Sequence, residues 1–376
     1  MSRHATMKWL RPAKPYFGVI FLQLGYAGMA IIGKSALNKG MSHYTLAVYR
    51  NVVATFLFAP LAIIFERRTI MQKMTMSICF KILLLGLLEP VIEQNLYYAG
   101  MKYTTATFTT SMSNVLPAIT FILAWILRLE KVSIEELHSQ AKILGTLVTV
   151  GGAMVMTLIG GPVLGLPWTH HIDKRQSINN SNVQHWDIIK GALMITAACF
   201  CWSCFYILQA IVLKSYQAGL SLTMLVCMAG AVQGSVLTLI MERKNTGIWS
   251  LHWDVNLVAY IYGGLICSGG GYYVSGVVMK ERGPVFVTAF NPLSMIIVAF
   301  VGSFILDEQL HIGRVLGAVV IVFGLYLVIW GKGNDQTSLA ESNEPDAIDQ
   351  PHALNGVQHV CTNQIAGSQT PPSHFV

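Results

Sequence analysis

Apolar runs about 20 residues long recur ten times along the chain, near residues 16–36, 44–65, 78–100, 105–127, 140–160, 188–210, 221–241, 255–278, 286–306 and 312–330. A helix of about 20 apolar residues crosses the hydrocarbon core of a bilayer. Lipid offers the backbone no hydrogen-bond partner, so runs of this length must be helices that satisfy their own N–H and C=O groups. The expected fold is all-α and integral to the membrane, with ten transmembrane helices and the lipid bilayer as partner of its outer surface. Composition agrees: 53% of the 376 residues are hydrophobic and 11% charged, where a soluble domain carries about 25% charged residues. The net charge of +7 does not imply nucleic acid, because Lys and Arg fall mostly between the runs, where they set topology.

The connections give an organisation. Residues 1–14 hold Arg3, Lys8, Arg11 and Lys14 before the first run. That run exceeds the 7–15 residues of a signal-peptide core, so it is expected to remain as the first span. The longest connection, 161–187, is polar, contains His170, His171 and His185, and carries the sequon Asn179-Asn180-Ser181, which makes Asn179 a glycosylation candidate. Residues 332–376 are polar, acidic and proline-bearing, the composition of a disordered tail. Lys and Arg concentrate in the N-terminal segment, in 66–77 and after span 4, so both termini are expected in the cytoplasm and 161–187 outside.

Residues 15–160 and 188–331 then form two five-helix halves, and internal similarity relates them. Lys142–Gly152 reads KILGTLVTVGG and Arg314–Gly324 reads RVLGAVVIVFG, which relates spans 5 and 10. At an offset of 178 residues, Gly86 pairs with Gly264, Met101-Lys102 with Met279-Lys280, Phe108 with Phe286, Thr110 with Thr288 and Glu130 with Glu308. Five spans per half is an odd number, so the second half enters the membrane from the opposite side and the repeat is inverted. Inverted repeats place a site near the midplane, at helices interrupted in corresponding positions. Span 3 has Pro90 and span 8 has Gly269, Gly270 and Gly271; span 4 has Pro117 and span 9 has Pro292. These are the expected structural and gating positions.

Span 3 is also where the chain accepts the largest insertion cost. It carries Glu89, Glu93, Gln94 and Asn95 inside an apolar run, and a charged side chain there costs at least about 2.5–3.5 kcal/mol unless it faces a bundle interior or wet cavity. Arg50 on span 2 and Glu93 each lie about 10 Å from the outer helix ends at 1.5 Å per residue, so the two could pair; the alternative is that Arg50 snorkels outward. The expected substrate cavity has one wall from Glu89, Glu93, Gln94, Asn95 and Tyr98, with Ser113 and Asn114 on span 4 and Gln23 and Tyr26 on span 1. The other uses Trp202 and Gln209 on span 6, Tyr272 and Tyr273 on span 8 and Asn291 on span 9. A small zwitterion suits this mixture of carboxylates, amides and phenols.

Other motifs carry less. Cys201-Trp202-Ser203-Cys204 has redox spacing but sits inside span 6, without the βαβ context of a redox fold, and reads as helix packing. The glycine run lacks the strand–loop–helix setting of a phosphate loop. No Cys/His spacing supports a metal, and no Ser/His/Asp set is identifiable. No enzyme activity, metal or cofactor is expected.

The strings FLQLGYAGMAIIGKSALNKGMS, LAVYRN, GLLEPVIEQNLYYAGMKYTTATF and RGPVFVTAFNPLSMIIVA resemble the plant nodulin-21-like, or walls-are-thin-related, family of EamA-type drug/metabolite transporters. The resemblance covers about Pro15 to Gly333. It implies ten helices in two EamA-like halves and is nearest to members that move amino acids in either direction, the UmamiT transporters. The implied activity is bidirectional amino-acid transport by alternating access, with another small organic solute such as auxin, or a solute channel, as the alternative. The plasma membrane is the expected location, with the vacuolar membrane as alternative. Gly270 is less usual for this likeness, which tends to have a bulkier residue there. No sequence feature specifies an oligomeric state.

Overall fold

The computed structural model describes residues 2–72, 74–129, 136–158, 181–243, 246–251, 253–305 and 312–341. All ten expected passages lie within its larger body, Met1–Gln336; a second, Thr337–Val376, is described only through residue 341. Span 1 is the helix Ser2–Asn38, span 2 His43–Gln72, span 5 Leu137–Leu158, span 6 Ser181–Ser215, span 7 Gly219–Met241 and span 10 Ile312–Glu341. No strand occurs among the described residues. Span 10 continues as helix through residue 341, ten residues into the stretch expected to be a disordered tail from 332. Asn179 of the sequon, His170 and His171 lie outside the described residues, as does the rest of the tail.

Four passages are interrupted. Span 3 runs as Met76–Gly86, a π-helical segment Leu87–Glu93, then Gln94–Tyr103. Span 8 repeats the pattern as Val255–Tyr262, π-helical Gly263–Gly270 and Gly271–Arg282. Pro90 explains the first break, because it has no N–H to give to an α-helical turn. The chain widens instead, and the Gln94 N–H reaches the Glu89 carbonyl five residues back. Span 4 tightens through a 3-10 turn at Ser113–Val115 before Leu116–Ile126. Span 9 is split into Pro284–Ala289 and Asn291–Ile305.

The breaks allow close packing through small residues, the usual basis of helix association in lipid. A Cβ on Gly230 of span 7 would fall 2.3 Å from the Cβ of Pro90, and one on Gly264 of span 8 would fall 2.6 Å from the Arg50 carbonyl oxygen of span 2. Gly86, the repeat mate of Gly264, packs on Ala229 and Gly230 of span 7. Span 8 therefore sits on span 2 as span 3 sits on span 7. Spans 5 and 10 meet the same way, Gly145 against the Gly324 carbonyl.

Two hydrogen bonds locate the axis of this repeat. Gln94 Nε2 donates to the Tyr272 hydroxyl at 3.1 Å, and Asn291 Nδ2 donates to the Ser113 carbonyl at 2.9 Å; both pairs are 178 residues apart. A residue touches its own repeat mate only near the two-fold axis, so the axis passes through spans 3 and 8 at Gln94 and through spans 4 and 9 at Ser113. The outer surface is apolar, with Phe56 77% and Phe80 68% exposed, while Arg50 and Glu93 are each 5% exposed. That is the polarity of a chain solvated by lipid.

Candidate functional site

The first π segment sets the site. Its i→i+5 hydrogen bonding brings residues five apart nearly over one another, and Gln94 Nε2 donates to Glu89 Oε2 at 3.1 Å, an i,i+5 contact that an α-turn would splay apart. The Tyr272 hydroxyl from span 8 donates to the same Glu89 oxygen, and Asn51 Nδ2 from span 2 donates to Gln94 Oε1 at 3.3 Å. Glu89 is thus held by both halves of the molecule.

Arg50 sits opposite. Its Nε donates to the Ser268 hydroxyl at 2.9 Å and its Nη1 to the Tyr98 hydroxyl at 3.0 Å. It does not snorkel. The expected direct pairing with Glu93 does not form either: the guanidinium is anchored by two neutral hydroxyls, leaving Nη2 without a hydrogen-bond partner among the described residues. Glu93 likewise makes no hydrogen bond among the described residues, yet it is almost fully buried and lines a cavity together with Arg50. The cavity, about 50 Å³, is walled by Tyr26, Met29, Ala30, Arg50, Glu89, Glu93, Gln94, Tyr97, Tyr98, Trp202 and Cys267. Tyr26 meets Trp202 edge to face, centroids 5.4 Å apart, and Trp202 stacks on Tyr206 at 5.8 Å, which builds an aromatic side to the chamber.

Six of the fourteen expected substrate residues line this cavity: Tyr26, Glu89, Glu93, Gln94, Tyr98 and Trp202. Tyr272 joins through its bond to Glu89. Gln209 acts one step away, donating to the Tyr272 carbonyl at 3.0 Å. The others are placed elsewhere. Tyr273, next to the π break, turns towards Phe58, ring centroids 6.4 Å apart. Asn95 folds back onto the Val91 carbonyl at 2.6 Å, and Gln23 is buried with Oε1 unpartnered. Ser113, Asn114 and Asn291 form a separate polar knot between the halves, with Asn291 on the Ser113 carbonyl and Asn114 against Met295 Sδ. Asn51, Ser268, Met29, Ala30, Tyr97 and Cys267 were not among the expected site residues. Of these only Ser268 carried a signal, a hydroxyl beside the glycine run in a membrane helix. Gly270 is confined by its own widened turn: a Cβ there would fall 2.9 Å from the Leu265 carbonyl oxygen. Pro117 and Pro292 are buried at the start of the second segments of spans 4 and 9. Cys201 and Cys204 are free thiols, and no cluster of metal-ligating side chains occurs among the described residues.

Comparison with known proteins places this architecture. The model of the EamA-like transporter family matches residues 13–158 and 189–330. Three WAT1-related proteins of Arabidopsis thaliana are 58%, 55% and 52% identical to the chain, covering 89%, 87% and 88% of it and 89%, 85% and 85% of their own lengths. One protein of known crystal structure superposes with a TM-score of 0.57 over 86% of this chain and 99% of its own, at 12% identity, a likeness of fold alone.

Proposed function

The chain belongs to the EamA-like transporter family, which makes it a multi-pass membrane transporter of small solutes rather than an enzyme; on that premise we propose that its cargo is an amino acid, moved in either direction by alternating access. The observation that carries this reading is the pair of unspent charges around one small chamber. Glu93 offers a carboxylate and Arg50 an Nη2 amine, and neither has a protein partner among the described residues. Buried charges are stable when paired and hydrogen-bonded, and a zwitterion supplies both complements at once: its ammonium for Glu93, its carboxylate for Arg50. Tyr26 and Trp202 add faces to which an ammonium is attracted. An organic anion without an ammonium would satisfy Arg50 and leave Glu89 and Glu93 against a third negative charge.

A chamber of about 50 Å³ is smaller than any amino acid, so cargo enters only when the halves separate on one side. The test is uptake of labelled amino acids into proteoliposomes. Saturable uptake stimulated by unlabelled amino acid inside, lost in Glu93→Gln, supports the proposal. Uptake of auxin or a sugar in its place would overturn the cargo assignment, and linear flux without counterflow would make the protein a channel.

A further inference from the structure

The two halves are tied at both ends of the span 2–span 7 pair. At one end Glu66, on span 2, caps the start of span 7: its carboxylate accepts from the Leu220 N–H at 3.3 Å, the Ser221 N–H at 2.8 Å and the Ser221 hydroxyl at 2.8 Å. At the other end, beyond the last turn of span 7, Glu242 accepts from the hydroxyl of Ser42, just before span 2, at 3.2 Å. Spans 2 and 7 are repeat mates running antiparallel, and the ties sit at corresponding ends of the pair although slightly off the 178 register: Glu66, within span 2, reaches Ser221 at the start of span 7, and Glu242, just after span 7, reaches Ser42 just before span 2. They lie at opposite faces of the membrane. Between them the helices pack closely, with a Cβ on Gly234 falling 3.3 Å from Val48.

We infer that Glu66 and Glu242 are positioning residues for transport, a matched pair of latches that each hold one face of the transporter shut. The inference rests on the alternating-access reading. When two halves rock about an axis in the membrane plane, the contacts between them at one face break while those at the other persist. A symmetric carrier therefore needs equivalent inter-half ties at both faces, each reversible. A carboxylate on a serine hydroxyl and helix N–H groups meets that need, because water replaces each bond when the face opens, so the net strength of such a bond is small. With both ties made, the chamber is small, about 50 Å³. The two are unequal: Glu66 accepts three bonds and Glu242 one, so loss of Glu66 shifts the balance further.

Cys267 lines the chamber and is 1% exposed, which makes it a native reporter once the other cysteines are replaced. Its labelling by a membrane-impermeant methanethiosulfonate is measured in intact cells and in inside-out vesicles. Glu66→Ala is expected to raise the rate from the face that bears Glu66, and Glu242→Ala from the opposite face, each about three- to tenfold as one or more net hydrogen bonds are lost. Ser42→Ala, which removes a single hydroxyl, reproduces the Glu242→Ala result in a variant that retains its fold. Rates raised at the same face by both variants, or unchanged in both and in Ser42→Ala, would overturn the proposal and make the ties fixed scaffold contacts. The readout needs no substrate, so its failure leaves the amino-acid assignment standing, and failure of that assignment leaves the latches standing.

Discussion

Glu89 and Glu93 stand four residues apart on one helix, yet they do different things. Glu89 is fully employed, accepting from Gln94 and Tyr272, whereas Glu93 faces the chamber without a protein donor. Glu93→Gln is therefore expected to leave the thermal unfolding midpoint of the purified protein close to the parent's. Its uptake rate at low substrate falls roughly ten- to hundredfold, the value of a hydrogen bond to a charged group at about 1.5–3 kcal/mol. Arg50→Gln removes the donors held by Ser268 and Tyr98 and strands two buried carboxylates, a loss of several kcal/mol, so midpoint and uptake fall together. The insertion cost made Glu89, Glu93 and Gln94 legible in the sequence, because nothing but an interior role repays it. Tyr272 and Tyr273 were indistinguishable there: both are phenols beside a glycine run, and only the helical phase decides which one faces Glu89. That phase is reset inside the π segment, where counting at 3.6 residues per turn fails, and Asn95 was misplaced for the same reason.

Whole helices are held by backbone geometry that few residue types tolerate. Gly283, which alone separates spans 8 and 9, has φ 81° and ψ 168°, a region open essentially to glycine only. Gly283→Ala is expected to lower stability by about 1–3 kcal/mol, read as a reduced unfolding midpoint with the amino-acid preference unaltered. Gly230→Ala drives a methyl into Pro90, and the overpacking costs about 1–3 kcal/mol. Because Pro90 lies in the π segment that aims Glu89 and Glu93, this variant is expected to impair uptake beyond its loss of stability, measured as flux per folded molecule. The sequence marked both interruptions, Pro90 in span 3 and the glycines in span 8, in matching places. It did not reveal that each becomes a widened turn, since Pro and Gly equally permit kinks, breaks and π bulges.

For the molecule as a whole, we propose that both termini face the cytoplasm. Tags at Met1 and Val376 are then expected to resist protease added to intact cells and to be cut in permeabilised ones. The halves were recognisable as a repeat from helix-end pairs such as Met101-Lys102 and Met279-Lys280, but the axis was not, because it is defined by a residue touching its own counterpart, as Gln94 does Tyr272. That same register shows a division of labour. Displaced by 178, Arg50, Glu89 and Glu93 fall on Met228, Cys267 and Gly271. The frame is two-fold, but all the charge at its centre belongs to the first half, and the second contributes aromatic rings, a thiol and hydroxyls. A solute gripped by its charged ends is then a passenger of the first half throughout the cycle. On the proposed alternating-access reading, the second half is the sliding wall that uncovers it, first to one compartment and then to the other.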